Sequence, residues 1–249
     1  MEKLKEIVPY KEKKDASKKE QVREMFDRIA RTYDILNHIF SMGIDRRWRR
    51  KVIKYLHHYH PRTILDIATG TGDMIFYLTS LKPEKIVGTD ISSNMLEIGR
   101  QKIDNKLPEY KDKIFLEVCD AEDLYCLEDN SFDAITSVFG IRNSENPDKW
   151  ITESFRLLKK HGILAILEFS QIKNPVIRTC FNLYFNKLLP FAGKIITGDK
   201  AYYYLPESVK NFPSGKEFAN FVENFGFKTL KIKPLTFGIA TIYLFEKNI

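Results

Sequence analysis

Between Lys18 and Tyr33 the apolar residues Val22, Met25, Phe26, Ile29, Ala30 and Tyr33 recur every three or four positions. That period predicts an amphipathic helix. A second helix is predicted from Arg46 to about His58, with Trp48, Val52, Ile53 and Leu56 facing inward. From Thr63 the pattern changes to short apolar runs, at Thr63–Ile67, Lys85–Thr89, Ile114–Cys119, Ala134–Val138 and Ile163–Leu167, which read as strands. Helices are expected between them, through about Ser80, over Ser93–Asn105 and over Asp148–Lys160. Such alternation predicts an α/β fold: a mostly parallel sheet with helices on both faces. In the tail, Pro175–Leu189 and Ser214–Asn224 read as helices, and Phe227–Lys233 with Ile239–Phe245 as a strand pair completing seven strands. No repeat and no Gly/Ser- or Pro-rich linker divides the chain. The expected organisation is a charged arm over 1–16 and one domain over 17–249. Its parts are a helical cap (17–60), a core (61–170) and a tail (171–249).

Composition narrows the class. With 43% hydrophobic and 13% aromatic residues in 249, the chain is not disordered, and 12 Gly and 10 Pro exclude collagen-like or low-complexity classes. No apolar run reaches the roughly 18–20 residues of a membrane helix. The runs at Ile163–Leu167 and Leu188–Ala192 are stopped by Glu168 and Lys194. The first residues, Met-Glu-Lys-Leu-Lys-Glu, carry no apolar signal segment. A cytoplasmic or peripherally membrane-bound protein is expected. Cys119, Cys126 and Cys180 form no C-x-x-C and have no histidine at metal-ligand spacing. They are expected to be buried free thiols, and no metal site is expected.

The formal net charge of +7 is unevenly spread. Residues 1–60 carry 16 basic and 9 acidic side chains, residues 61–170 carry 13 and 19, and residues 171–249 carry 11 and 5. An acidic middle lies between basic flanks. Those flanks are either solvated outer faces or surfaces for a nucleic acid or an anionic membrane.

The acidic middle contains the most informative run, Asp66-Ile67-Ala68-Thr69-Gly70-Thr71-Gly72-Asp73, at the first strand-to-helix turn, where ligands of open α/β sheets bind. A dinucleotide fingerprint fails because its third glycine position is Ile75, and the Gly-Lys-Ser/Thr of a phosphate loop is absent. The acids around the turn suit a cation rather than a pyrophosphate. Asp90, 24 residues beyond Asp66, ends the second strand and could accept both hydroxyls of a ribose. Asp120 ends the third, placed to accept from an adenine amino group, with the Ala121 N–H facing a ring nitrogen. Singly, a strand-ending aspartate is more often a turn or cap residue. Three in register with a Gly-x-Gly turn resemble the Rossmann-like class I S-adenosylmethionine (SAM) methyltransferases over residues 62–170. The cofactor residues so implied are Asp66, Thr69, Gly70, Thr71, Gly72, Asp90, Asp120 and Ala121, with Ser137 at the fourth strand and Tyr33 as a cover. Ala68 stands where that class often has Gly; a negative φ and a small loss of clearance are expected there.

Further motifs narrow the resemblance: Tyr33-Asp-Ile-Leu-Asn37 leading to Trp48, Phe139-Gly-Ile-Arg-Asn143, residues 156–170, Tyr204-Leu-Pro-Glu-Ser208 and Phe212-Pro213. Over about residues 20–246 the chain resembles the ubiquinone/menaquinone biosynthesis C-methyltransferases. That resemblance implies methylation of a ring carbon on a prenylated quinol, demethylmenaquinol before the benzoquinol precursor. Asp45, where many members have His, and Val138, where many have Ser, depart from the pattern. A ring carbon becomes nucleophilic once the neighbouring hydroxyl ionises. The permanently charged Arg142 is expected to stabilise that oxyanion, Asn143 to hydrogen-bond the other quinol oxygen, and His38 to move the proton. Arg142 could instead simply pair with Asp133 or Glu145. Tyr204 and Ser208 are weaker candidates for the ring pocket, and Glu168 either faces the site or satisfies backbone donors. A prenyl tail implies a visit to the bilayer, and the expected contact is Arg178, Lys187 and Lys194 interleaved with Phe181, Tyr184, Phe185 and Leu188–Phe191. A homodimer is left open. A nucleic-acid methyltransferase is the first rival, but the Asn/Asp-Pro-Pro-Tyr/Phe run is missing, so no nucleic-acid partner is expected. A non-catalytic SAM-binding protein is the second rival, opposed by the intact acid triplet.

Overall fold

The computed structural model describes residues 7–13, 15–41, 43–172, 174–183 and 201–248, without the side chains of 36, 38–40, 180–183 and 201–203. Strands β1 (Thr63–Ile67), β2 (Lys85–Asp90), β3 (Ile114–Val118), β4 (Phe132–Val138), β5 (Leu158–Phe169), β6 (Phe227–Leu235) and β7 (Ala240–Lys247) form one sheet in the order β3-β2-β1-β4-β5-β7-β6. The first five are parallel, and β7 runs antiparallel to both β5 and β6. This is the class I SAM methyltransferase fold. Because β1 and β4 are central and covered on both sides, their residues are buried almost throughout rather than alternately.

The helices are α1 (Lys18–Phe40), α2 (Ile44–Leu56), α3 (Asp73–Leu78), α4 (Ser93–Lys106), α5 (Pro147–Leu157), α6 (Pro175–Leu183), α7 (Ala201–Asn211) and α8 (Lys216–Glu223). Sequence explains several starts. Ser92 caps α4 by accepting from the Met95 N–H at 3.1 Å, and Asn146 caps α5 with Pro147 at the first helical position. Two apolar clusters fill the faces of the sheet. One joins Leu65, Ile67 and Ile135 to Trp150 of α5 and to Phe218, Phe221, Tyr243 and Phe245. The other joins Ile64, Ile86 and Ala165 to α2, α3 and α4 through Val52, Leu56, Ile75 and Ile103. A third cluster clasps α1 to Met95 of α4 and Tyr204 of α7.

Three elements differ from expectation. The first helix continues past Tyr33 to Phe40. β5 begins at Leu158, where a helix was expected to reach Lys160, because Leu158 already pairs with Phe132. Residues 201–211 form a helix despite Pro206, a residue that sequence reasoning treats as a stop. The end of the expected helix 175–189 and most of the expected membrane segment, Lys187 and Lys194 included, lie outside the described residues. Among those residues, no helix is long and apolar enough to cross a membrane.

Phe218 is fully buried among Phe212, Phe221 and Tyr243, away from the carboxyl edge of the sheet. Phe218→Ala is expected to cost about 3–5 kcal/mol in urea unfolding while leaving ligand affinity at that edge intact.

Candidate active site

At the carboxyl edge of the sheet a cavity enclosing about 740 Å³, part of it open to solvent, lies between the strand ends and α1. Ala68, Gly70, Asp90, Asp120 and Ala121 line its floor and wall, and Val138, Phe139, Gly140 and Asn143 its other side. Lys19, Val22, Phe26 and Tyr33 of α1 form the roof.

Asp66 ends β1 and is 1% exposed. It accepts from Thr69 Oγ1 and Thr136 Oγ1, both at 2.6 Å. Burial nevertheless pushes its pKa up to about 6. Asp90 accepts from the backbone N–H groups of Gly70 at 2.8 Å and Ser92 at 2.9 Å. It too is raised by burial to about 6 against those bonds. The turn between them needs positive φ at Gly70 (+58°) and Gly72 (+77°), which glycine adopts freely. Asp120 is more open. Its Oδ1 accepts from the Glu122 N–H, and its Oδ2 pairs with Lys19 at 2.5 Å. Burial pulls the Lys19 pKa down, but the hydrogen bond to Asp120 and the nearby charge of Glu122 outweigh it, so the net shift is upward. α1 is held down twice more at this corner. Lys18 Nζ donates to the carbonyls of Arg142 (3.3 Å) and Ser144 (2.6 Å), and the Lys19 N–H to Glu145 at 3.1 Å.

Arg142 and Asn143 sit on the short helical turn Ile141–Asn143 that follows β4. Arg142 is buried, and its Nη1 donates to the Phe139 carbonyl (2.6 Å) and to Glu168 Oε1 (2.9 Å), with the guanidinium over the Phe169 ring. Its partner is thus Glu168 at the end of β5, not Asp133 or Glu145. Asp133 instead pairs with Lys159, and Glu145 binds the Lys19 N–H. Of the two things considered for it, Glu168 does the second: it accepts from the Phe169 N–H at 2.8 Å, and it is not among the residues lining the cavity. Burial raises its pKa, and the Arg142 charge opposes the rise. Tyr33 lines the cavity. Burial raises its pKa while a hydrogen bond with Asn37 and the charges of Arg142 and Arg49 oppose that. Trp48, Phe139 and Phe169 make an aromatic wall beside these charges.

Other expected residues sit elsewhere. Thr71 lies off the cavity and donates to Asp34, in a cluster where Lys102 bridges Asp34 and Asp73 at 2.6 Å each. Asp73 is therefore turned toward Lys102, whose single charge it shares with Asp34. Gly72 shapes the turn without lining the cavity. Ser137 is fully buried beneath the Phe139–Gly140 corner, its hydroxyl without a partner among the described residues. Ser208 is turned into its own helix, donating to the Leu205 carbonyl. Tyr204 is buried under α1 with its hydroxyl unpaired among the described residues. The side chain of His38 is outside the described set. Ala68 adopts φ +56°, not the negative value expected, and Gly140 makes room for its methyl. A Cβ on Gly140 would meet the Ala68 Cβ at 2.7 Å. Asp45 forms a buried pair with Arg49 at 2.5 Å and accepts from Ser41.

The cysteine expectation needs correcting. Cys119 is buried at the cavity, but Cys126 is exposed, its sulfur facing that of Cys119 across the loop that carries Asp120 and Ala121. Their seven-residue separation matched no framework or redox motif, so spacing alone gave no signal.

Comparison with known proteins decides the class. The model of the ubiE/COQ5 methyltransferase family matches residues 14–247. The chain belongs to this family. It is accordingly a SAM-dependent methyltransferase. Among its relatives, the demethylmenaquinone methyltransferase of Bacteroides fragilis is 43% identical over 97% of both chains. The ubiquinone/menaquinone biosynthesis C-methyltransferase of Geotalea uraniireducens is 42% identical over 92% of this chain and 97% of that protein. By structure, a SAM-dependent methyltransferase from Thermotoga maritima aligns with a TM-score of 0.60 at 19% identity, covering 91% of this chain and 99% of its own. The [4+2]-cyclase SpnF aligns at 0.67 and 15% identity, covering 94% and 98%. These two likenesses concern the fold. The donor set suits the methyl donor. Four acids, Asp90, Asp120, Glu122 and Glu145, line the cavity, a setting that suits hydroxyl and amino donors and a positively charged sulfur.

The two raised aspartates give a pH signature. Unfolded Asp ionises near 3.9, whereas Asp66 and Asp90 keep their protons to about 6. Between those values the folded state binds more protons than the unfolded one, so their contribution to stability falls as pH rises through about 4 to 6. SAM, with its hydroxyl donors and positive sulfur, is expected to favour the ionised acceptors. Its affinity, read by calorimetry, is expected to fall about tenfold per pH unit below 6 for each carboxylate required. Asp90→Asn is expected to flatten that dependence and weaken binding at pH 7.5 about 10- to 100-fold.

Proposed function

We propose that this enzyme methylates a ring carbon of a prenylated quinol, demethylmenaquinol to menaquinol. The observation that carries the reading is the pairing of a SAM-type cavity with a buried guanidinium and amide, Arg142 and Asn143, on the turn that closes its far wall. The names of the relatives at 42–43% identity point the same way. When bound, SAM supplies an electrophilic methyl on a positively charged sulfur. The protein's share is then to bind the ring, ionise its hydroxyl and hold the oxyanion.

Arg142 is suited to the last of these tasks. A guanidinium stays charged at any working pH, and with Glu168 and the Phe139 carbonyl fixing one nitrogen, its remaining N–H groups are pre-aimed. Asn143 lines the cavity and is placed for the second quinol oxygen. Trp48, Phe139 and Phe169 offer apolar surface for the ring. Tyr33 roofs the cavity, and His38 stays a candidate for proton transfer. Asp66, Thr69, Gly70, Asp90, Asp120 and Ala121 hold the cofactor, with Thr71, Gly72 and Ser137 shaping the turn and corner around it. The benzoquinol branch is the second reading, favoured by the relatives named for both quinones.

The substrate's isoprenoid tail gives the basic flanks a use at an anionic bilayer, where each Lys or Arg near the surface contributes on the order of 1 kcal/mol. A peripheral membrane enzyme, active as monomer or homodimer, follows from this reading. Three measurements test it. Arg142→Ala is expected to lose about 100-fold or more in turnover while keeping SAM affinity, and retained turnover removes Arg142 from the mechanism. Demethylmenaquinol and the benzoquinol precursor with matched tails, assayed side by side, are expected to favour the naphthoquinol. Co-sedimentation with anionic vesicles is expected to weaken with salt, and equal binding to neutral vesicles contradicts the membrane reading.

A further inference from the structure

The carboxylate of Glu168 is 1% exposed, yet its hydrogen bonds are lopsided. Oε1 accepts from Arg142 Nη1 at 2.9 Å and from the Phe169 N–H at 2.8 Å. Among the described residues, Oε2 accepts only a long bond, 3.4 Å, from the Arg142 N–H. One oxygen anchors the group; the other keeps lone pairs for a further donor. Close by are three buried polar atoms without a partner among the described residues: Arg142 Nε, Asn143 Oδ1 and Tyr204 Oη. Buried polar atoms are nearly always satisfied, so three orphans around one carboxylate mark a place for a polar ligand. They belong together spatially. Arg142 and Asn143 share one turn, α7 with Tyr204 packs against that turn, and Arg142 and Glu168 both act electrostatically on the Tyr204 phenol. Asn143 opens this cluster onto the cavity.

We propose that Glu168 is the general base of the reaction, its Oε2 receiving the proton of the quinol hydroxyl while Tyr204 and Arg142 hold the oxygen that releases it. This rests on the quinol reading above. In the step the quinol O–H bond breaks, its electron pair stays on oxygen, and the carboxylate becomes a carboxyl. The oxyanion's charge spreads to the neighbouring ring carbon, which takes up the methyl as the methyl–sulfur bond breaks, the pair of that bond staying on sulfur and S-adenosylhomocysteine leaving neutral. That carbon then loses its hydrogen as a proton to water, its bonding pair restores the aromatic ring and returns the carbonyl pair to oxygen, and the oxygen takes its own proton back from Glu168. One proton is released per methyl transferred.

Other groups are less suited. A guanidinium has no accepting lone pair. The oxygens of Asp66 and Asp90 already accept from Thr69, Thr136, Gly70 and Ser92 on the cofactor side. His57, His58 and His60 precede β1 and His161 lies in the first half of β5, all toward the opposite edge of the sheet. The charged and titratable groups facing Glu168 are Arg142 from the turn, Tyr204 from α7 and Tyr243 from β7, with Tyr33 and Arg49 beyond Arg142. Burial brings the carboxylate's proton affinity nearer to neutrality, where a base works best.

The test uses the full chain and demethylmenaquinol with a short prenyl tail. Single-turnover rates are followed from about pH 5.5 to 9, with SAM affinity measured on each variant. Glu168→Gln is expected to slow methyl transfer about 10²- to 10⁴-fold, to abolish the rise of rate with pH and to leave SAM affinity unchanged. Glu168→Asp should recover part of the rate on a shifted profile. Tyr204→Phe should slow transfer but keep the pH rise. Wild-type-like rate and pH dependence in Glu168→Gln, or loss of the pH rise in His38→Gln instead, overturns the proposal. Should Glu168→Gln fail to bind SAM, Glu168→Asp decides: a shifted profile supports the base, an unshifted one removes it. Wild-type enzyme that methylates no quinol sinks the quinol reading and this proposal together. Active wild type with an equally active Glu168→Gln sinks the proposal alone.

Discussion

Asp66, Asp90 and Glu168 are held out of water at the ends of β1, β2 and β5, and a carboxylate so placed must be hydrogen-bonded, neutralised or protonated. Each is met differently. Asp66 has two threonine hydroxyls, Asp90 two backbone N–H groups, and Glu168 a guanidinium with a backbone N–H. The local folding around the edge serves these partners. The Gly70–Gly72 turn aims an amide at Asp90, and Ser92 both donates its N–H to Asp90 and caps α4. The turn after β4 swings Arg142 across to β5. β4 is the one strand of the parallel set whose end carries no acid. Its place in the sheet, between β1 and β5, is where the cation enters.

This arrangement divides the edge by charge. On the β1–β2–β3 side, acceptors stand ready for hydroxyl and amino donors and for a positive sulfur. On the β4–β5 side, Arg142 offers donors to an anion, beside an aromatic wall. In the reading proposed above, a methyl cation equivalent and an electron-rich ring would be drawn to opposite halves of this edge, and the electrostatics would orient the two reactants toward each other.

The acids of β1, β2 and β3 were legible because each ends an apolar run, and an apolar run that stops on Asp tells both where a strand lies and which side chain emerges at its end. The sheet followed from the same periodicity. Contacts between distant segments were not legible. Arg142 meets Glu168 because Val138 pairs with Leu167 in the parallel register, and no local pattern predicts register between β4 and β5. Lys102 reaching Asp34 and Asp73, and Lys19 reaching Asp120, likewise join elements whose packing angles are tertiary facts. α7 was hidden by Pro206, whose missing N–H argues locally for a break that packing under α1 overrides. Ala68 was misjudged because the intrinsic preference of alanine for negative φ yields to the turn's demand.

That turn ties two distant positions into one. Ala68 at φ +56° bears a left-handed conformation that costs an alanine roughly 1 kcal/mol or more, and its methyl fills the space that Gly140 leaves by having none. Only one of the two positions has room for a β-carbon. Substitutions there are expected to be strongly non-additive: a methyl at 140 is an obstruction beside Ala68 and far less of one beside a glycine, where the unbonded Ser137 hydroxyl is free to rotate aside. In this chain the cofactor turn and the Phe-Gly corner therefore share one volume, which one side can take only as the other cedes it.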